Sequence, residues 1–82
     1  MIKILFFAQL RDQLGVSELI LSSNDNPNVQ VLLNNLKAQD KSWDKLLSQG
    51  TLMVAVNQTI SNKTAILVSG DEVAFFPPVT GG

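Results

Sequence analysis

The 82-residue chain has no cysteine and no histidine. Without cysteine it has no disulfide, no thiol nucleophile and no thiolate metal ligand. Without histidine it lacks the commonest general base and metal ligand. A surplus of either charge is missing too. Six basic residues against seven acidic ones give a formal net charge of −1, which leaves no basic footprint for nucleic acid. No apolar run approaches the roughly 20 residues needed to span a bilayer. The opening Met1-Ile2-Lys3-Ile4-Leu5-Phe6-Phe7-Ala8 imitates a signal peptide, but Gln9, Arg11 and Asp12 interrupt it before an h-region and cleavage site can form. The expected compartment is the cytoplasm, with no membrane and no nucleic acid as partner.

What is present suits one small domain. The hydrophobic fraction, 45%, is ordinary for a folded protein. A chain this short buries only about 60% of its unfolded surface, so its stability is modest. Residues Ile2 to Phe7 read as a strand with Ile2, Ile4 and Phe6 on one face and Lys3, Leu5 and Phe7 on the other, wetter one. Ala8 to Leu14 reads as a short helix stopped at Gly15. Val16 to Leu21 is a second strand. Asn28 is the expected N-cap of the longest helix, whose stripe Val29, Leu32, Leu33 and Leu36 recurs at i, i+3, i+4 and i+7. Trp43, Leu46 and Leu47 repeat that spacing in a further short helix closed by Gly50. Leu52 to Val56 is a strand, Asn57-Gln58 a tight turn and Thr59-Ile60 a brief return. Ser69-Gly70-Asp71 is a turn signature, and Glu72 to Phe76 the last strand, with Val73 and Phe75 opposed to Ala74 and Phe76.

Strands at both ends with one long helix between them predict an α+β fold: a mixed sheet with the helix on one face and the first and last strands side by side at its centre. The body is expected over residues 1–76 and a flexible tail over 77–82.

That tail, Pro77-Pro78-Val79-Thr80-Gly81-Gly82, follows the aromatic pair Phe75-Phe76. Neither proline has an N–H to donate, so the sheet ends there. Two glycines then leave a ribbon without side chains and with a carboxylate at its tip. At about 3.3–3.6 Å per residue the ribbon reaches roughly 20 Å beyond the body. Glycines at a chain end are often mere fraying. The order of strand, stiff spacer and Gly-Gly argues for a working tail.

The opening Met1 to Gln9, the middle Val56-Asn57-Gln58-Thr59 and the ending Gly70-Asp71-Glu72-Val73 through Gly82 resemble the small subunits of molybdopterin synthase, members of the ubiquitin-like β-grasp sulfur-carrier family. The resemblance spans the whole chain. It implies a carrier without catalytic residues of its own and with no bound cofactor or metal. It implies that Gly82 is adenylated by an ATP-consuming activating enzyme and converted to a thiocarboxylate. The large synthase subunit then passes the sulfur to a cyclic pyranopterin precursor, in a heterotetramer of two small and two large subunits. It further implies that Gly81, Thr80, Val79, Pro78 and Pro77 are the tail recognised by partners.

Alternation and the resemblance together place Phe7, Ile60 and Phe76 in an apolar partner patch on the sheet face away from the long helix. The alternative is that they are core. Arg11, on a short helix, offers a guanidinium for a partner carboxylate, with a solvated surface charge as the plainer reading. Asp71 and Glu72 are adjacent carboxylates but point to opposite faces of a strand, which argues against an acid–base pair. A thiamine-type sulfur carrier and a protein modifier share the Gly-Gly end, and a plain β-grasp interaction module would carry an inert tail. Phe-Phe-Pro-Pro and the Trp43 helix favour the molybdopterin reading over the thiamine one.

Overall fold

The computed structural model describes residues 1–78. Five strands and three helices follow one another as β1 (Ile2–Phe6), α1 (Ala8–Leu14), β2 (Glu18–Leu21), α2 (Val29–Lys37), α3 (Lys41–Leu47), β3 (Met53–Val56), β4 (Thr59–Ile60) and β5 (Glu72–Phe76). The sheet order is β2-β1-β5-β3-β4. β1 and β5 are parallel neighbours, and the remaining pairs are antiparallel. The expected α+β sheet, with the first and last strands adjacent at its centre, is the arrangement found.

The core follows from strand alternation meeting the α2 stripe. Ile2, Ile4 and Phe6 of β1, Val73 and Phe75 of β5 and Val54 of β3 are buried together with Val29, Leu32, Leu33 and Leu36. The Phe6 and Phe75 rings stack at 6.1 Å, and Trp43 meets Phe6 edge-on at 5.8 Å, a geometry that adds about 0.5–1.5 kcal/mol to area burial. The helix ends obey local chemistry. The Asn28 side chain accepts the Val31 N–H at 2.8 Å. Gly15 caps α1 at φ 77°, where its N–H bonds the Arg11 carbonyl, a conformation that costs residues with a Cβ about 1–2 kcal/mol.

Several expected boundaries move. β2 begins at Glu18 rather than Val16, although the Ser17 carbonyl still accepts the Phe6 N–H at 3.0 Å. Phe7 lies outside β1 as the N-cap of α1. Leu52 is outside β3, because its N–H turns back to the Gln49 carbonyl. α3 starts at Lys41, since the Asp40 carboxylate takes the Ser42 N–H at 2.7 Å, and it ends at Leu47 with Ser48 as its C-cap, short of Gly50. The segment between β4 and β5 returns through a bridge between Asn28 and Ile66 that buries Leu67.

Candidate functional site

The site is built from the other side of the same strands. Register sets it in rows across the sheet. The Phe7 N–H bonds the Phe75 carbonyl at 3.2 Å and so carries the β1–β5 ladder one residue beyond Phe6. Phe7 therefore stands beside Phe76, and Phe76 is paired with Met53. The next row runs Glu18, Leu5, Ala74, Ala55 and Ile60. The third runs Ile20, Lys3 and Glu72. The face is thus apolar toward the end of β5 and charged toward its start, where Lys3 Nζ lies 3.8 Å from Glu18.

Phe7 is 45% exposed and Ile60 60%, while Phe76 is half-buried between its neighbours. The structure brings these three expected residues onto one surface, away from α2. Leu5 and Ala74 share it, as alternation expected, and so does Met53, which escaped the sequence reading. The signal for Met53 was the inward pair Val54 and Val56, which by period two turns Met53 and Ala55 outward.

β5 is bonded on both sides, to β1 and to β3, so the root of the tail is anchored in the centre of the sheet. Pro77 is half-buried and Pro78 exposed. Val79, Thr80, Gly81 and Gly82, the rest of the expected recognition and modification site, lie outside the described residues.

Arg11 is exposed and its Nε is 3.7 Å from the adjacent Asp12, a surface pair of little energetic weight. Asp71 is a structural carboxylate. It accepts the Val68 N–H at 2.8 Å and the Asn57 amide at 3.0 Å, and these bonds hold its pKa below the usual carboxylate value. Asn57, at φ 51°, also accepts the Glu72 N–H at 3.0 Å, stitching the β3–β4 turn to the start of β5. Among the described residues no group of three or more histidine, cysteine or acidic side chains is placed to hold a metal. No described helix is long and apolar enough to cross a membrane.

A model of the ThiS family matches residues 4–82. The chain belongs to the ThiS family. It is 48% identical to the molybdopterin synthase sulfur carrier subunit of Escherichia coli, over 82 residues that cover all of both chains. Among solved structures, the small archaeal modifier protein 1 of Methanosarcina acetivorans matches with a TM-score of 0.79 at 25% identity, covering 99% of this chain and 95% of that one. A complex of subunits 1 and 2 of molybdopterin-converting factor from Helicobacter pylori contains a chain that matches with a TM-score of 0.71 at 20% identity, covering 99% and 97%. These structural neighbours are ubiquitin-like β-grasp proteins, the fold expected from the sequence.

Proposed function

We propose that this chain is the sulfur carrier subunit of a molybdopterin synthase, with Gly82 as the residue that carries the sulfur. The observation that carries the reading is the end-to-end identity of 48% with the Escherichia coli carrier subunit. The geometry supports it: the tail leaves a strand held on both sides, beside the Phe7–Phe76–Met53 row.

The chemistry accounts for the residue types. An α-carboxyl has a pKa of about 3.3–3.7, so at neutral pH it is an anion and a poor electrophile. In the proposed sequence a Gly82 carboxylate oxygen attacks the α-phosphorus of ATP and pyrophosphate leaves. A sulfur nucleophile then displaces AMP from the acyl adenylate and leaves a thiocarboxylate. Glycine offers that nucleophile a carbonyl with no Cβ beside it. The thiocarboxylate sulfur is delivered to the pyranopterin precursor on the large subunit, which supplies the catalytic groups, and water regenerates the carboxylate. The carrier itself binds no cofactor, and the activating enzyme consumes the ATP. Two small and two large subunits make the working assembly in the cytoplasm. Phe7, Ile60 and Phe76 form the docking patch for the large subunit. The tail Pro77, Pro78, Val79, Thr80 and Gly81 enters the partner's active site.

The test is a chain extended by one residue past Gly82, supplied to a host that lacks its own carrier. The expected result is a folded protein without molybdoenzyme activity, because a displacement near 1 Å at a reacting centre can cost about a hundredfold in rate. Mass spectrometry of the unextended chain from the same host is expected to find a species with one oxygen replaced by sulfur. Full activity with the extension retained would remove Gly82 from the role.

A further inference from the structure

We propose that the pocket between α2 and the outer edge of β3 binds a small carboxylate whose apolar part is about the size of a benzene ring. This site is separate from the tail and from the apolar patch, and it does not depend on the sulfur-carrier reading.

The pocket follows from the shortness of β4. Its two residues, Thr59 and Ile60, pair with Val56 and Ala55, so β4 does not reach Met53 at the start of β3. The chain then crosses from the sheet to the helix. The Ser61 N–H bonds the Val54 carbonyl at 3.0 Å, and two residues later the Lys63 carbonyl accepts the Gln30 N–H at 2.9 Å. Residues 61–63 thus bridge the two layers and line a pocket of about 170 Å³. Its inner walls are Val29 and Leu33 of α2 and Val54 and Phe75 of the sheet, all core residues. Leu52 and Met53 line it from the strand edge. A cavity of about 150 Å³ with walls of this kind takes one benzene-sized molecule, which sets the size of the apolar part.

The rim sets the charge. Lys63 is the one charged residue lining the pocket. It is exposed and makes no ion pair among the described residues. The Asn62 side-chain oxygen already accepts from the Thr64 N–H and hydroxyl, which leaves the Asn62 NH2 group as a second donor. The other polar groups nearby are taken. The Ser61 hydroxyl donates to the Thr59 carbonyl at 2.9 Å. The first amides of α2 bond the Ala65 and Lys63 carbonyls and the Asn28 side chain, so the start of the helix offers an anion no donor. No acidic side chain lines the pocket. An apolar interior with an ammonium and an amide donor at its mouth suits a compact carboxylate and disfavours an amine.

The probe is benzoate, titrated into the isotope-labelled full chain and followed by amide and methyl NMR. Expected are saturable shifts at the methyls of Val29, Leu33 and Val54 and at the Asn62 and Lys63 amides, with a Kd of about 1 mM. Benzyl alcohol, with the same ring and no charge, should bind about fivefold more weakly, and benzylamine should not bind. Lys63→Gln, at an exposed position, should fold normally and weaken benzoate about fivefold. Leu52→Trp, with its folding checked by the amide spectrum, should abolish the shifts by filling the pocket. No saturation by about 10 mM benzoate would overturn the site. So would an affinity indifferent to Lys63→Gln, or equal shifts with acetate and benzoate at every lysine, which would mean an adventitious ion only. Movement of the Val79 methyls in Lys63→Gln without benzoate would overturn it too, by giving the pocket to the chain's own end.

Discussion

Phe75 and Phe76 are neighbours in one strand with opposite fates. Phe75 is 1% exposed and stacks on Phe6, while Phe76 lies half-buried on the open face beside Met53 and Phe7. The same division recurs at the end of β1, where Phe6 is core and Phe7, the residue after the strand, is presented outward. Identical side chains thus hold the fold together on one face and lie on the open surface on the other. Period two alone decides which is which. Apolar composition therefore says little here about stability or function until the face is known.

Four experiments break or sharpen that contrast. The largest effect is expected from Phe75→Ala, which empties part of the core and should cost about 3–5 kcal/mol in urea unfolding. Phe76→Ser should cost about 1 kcal/mol of stability. Its main effect should be on affinity for the large subunit, a loss of about 1.5–3 kcal/mol measured by calorimetry. Equal stability losses in the two variants would erase the difference between the faces.

The third experiment tests what keeps the faces apart. A one-residue slip would exchange them, and the Asn57–Gln58 turn pins the register with both residues at positive φ. Asn57 is tied by hydrogen bonds to Asp71 and Glu72, but Gln58 is exposed and sits at φ 69°. Gln58→Gly should relieve up to about 1 kcal/mol of strain and raise the melting temperature slightly.

The smallest effect is expected at Asp71. Its folded pKa is held below the ordinary value by the Val68 N–H and the Asn57 amide. A depressed pKa contributes stability that is present above the unfolded value of about 3.9 and is lost as pH falls through the folded one. Asp71→Asn should therefore lower stability slightly at and above about pH 6, where the carboxylate's contribution is fully present, and the gap to the parent should close as pH falls below about 4. An unaltered acid limb would mean that these bonds do not hold the carboxylate in solution.

Much of this arrangement was legible before the structure. The α2 stripe, the Asn28 cap, the Gly15 stop and the inward face of β1 each rest on local spacing, and each is found in place. What escaped depends on partners distant in the chain. Asn26 read only as loop, yet it is 3% exposed, donating to the Ser22 carbonyl and accepting from Asn35. Leu67 is buried because residues 66–67 return to Pro27 and Asn28, a contact that no periodicity announces. Met53 joins the apolar row only once β3 is set against β5. Of the expected tail site, Pro77 and Pro78 lie among the described residues.

The central pair of the sheet joins residues 3–6 to residues 72–75. No ribosome-bound fragment that stops before β5 can complete the core, because Val73 and Phe75 are missing from its middle. Folding must wait for nearly the whole chain, and such distant pairing is intrinsically slow. A fragment that stops before β5 lacks the middle of the core and is open to proteases as an unfolded chain.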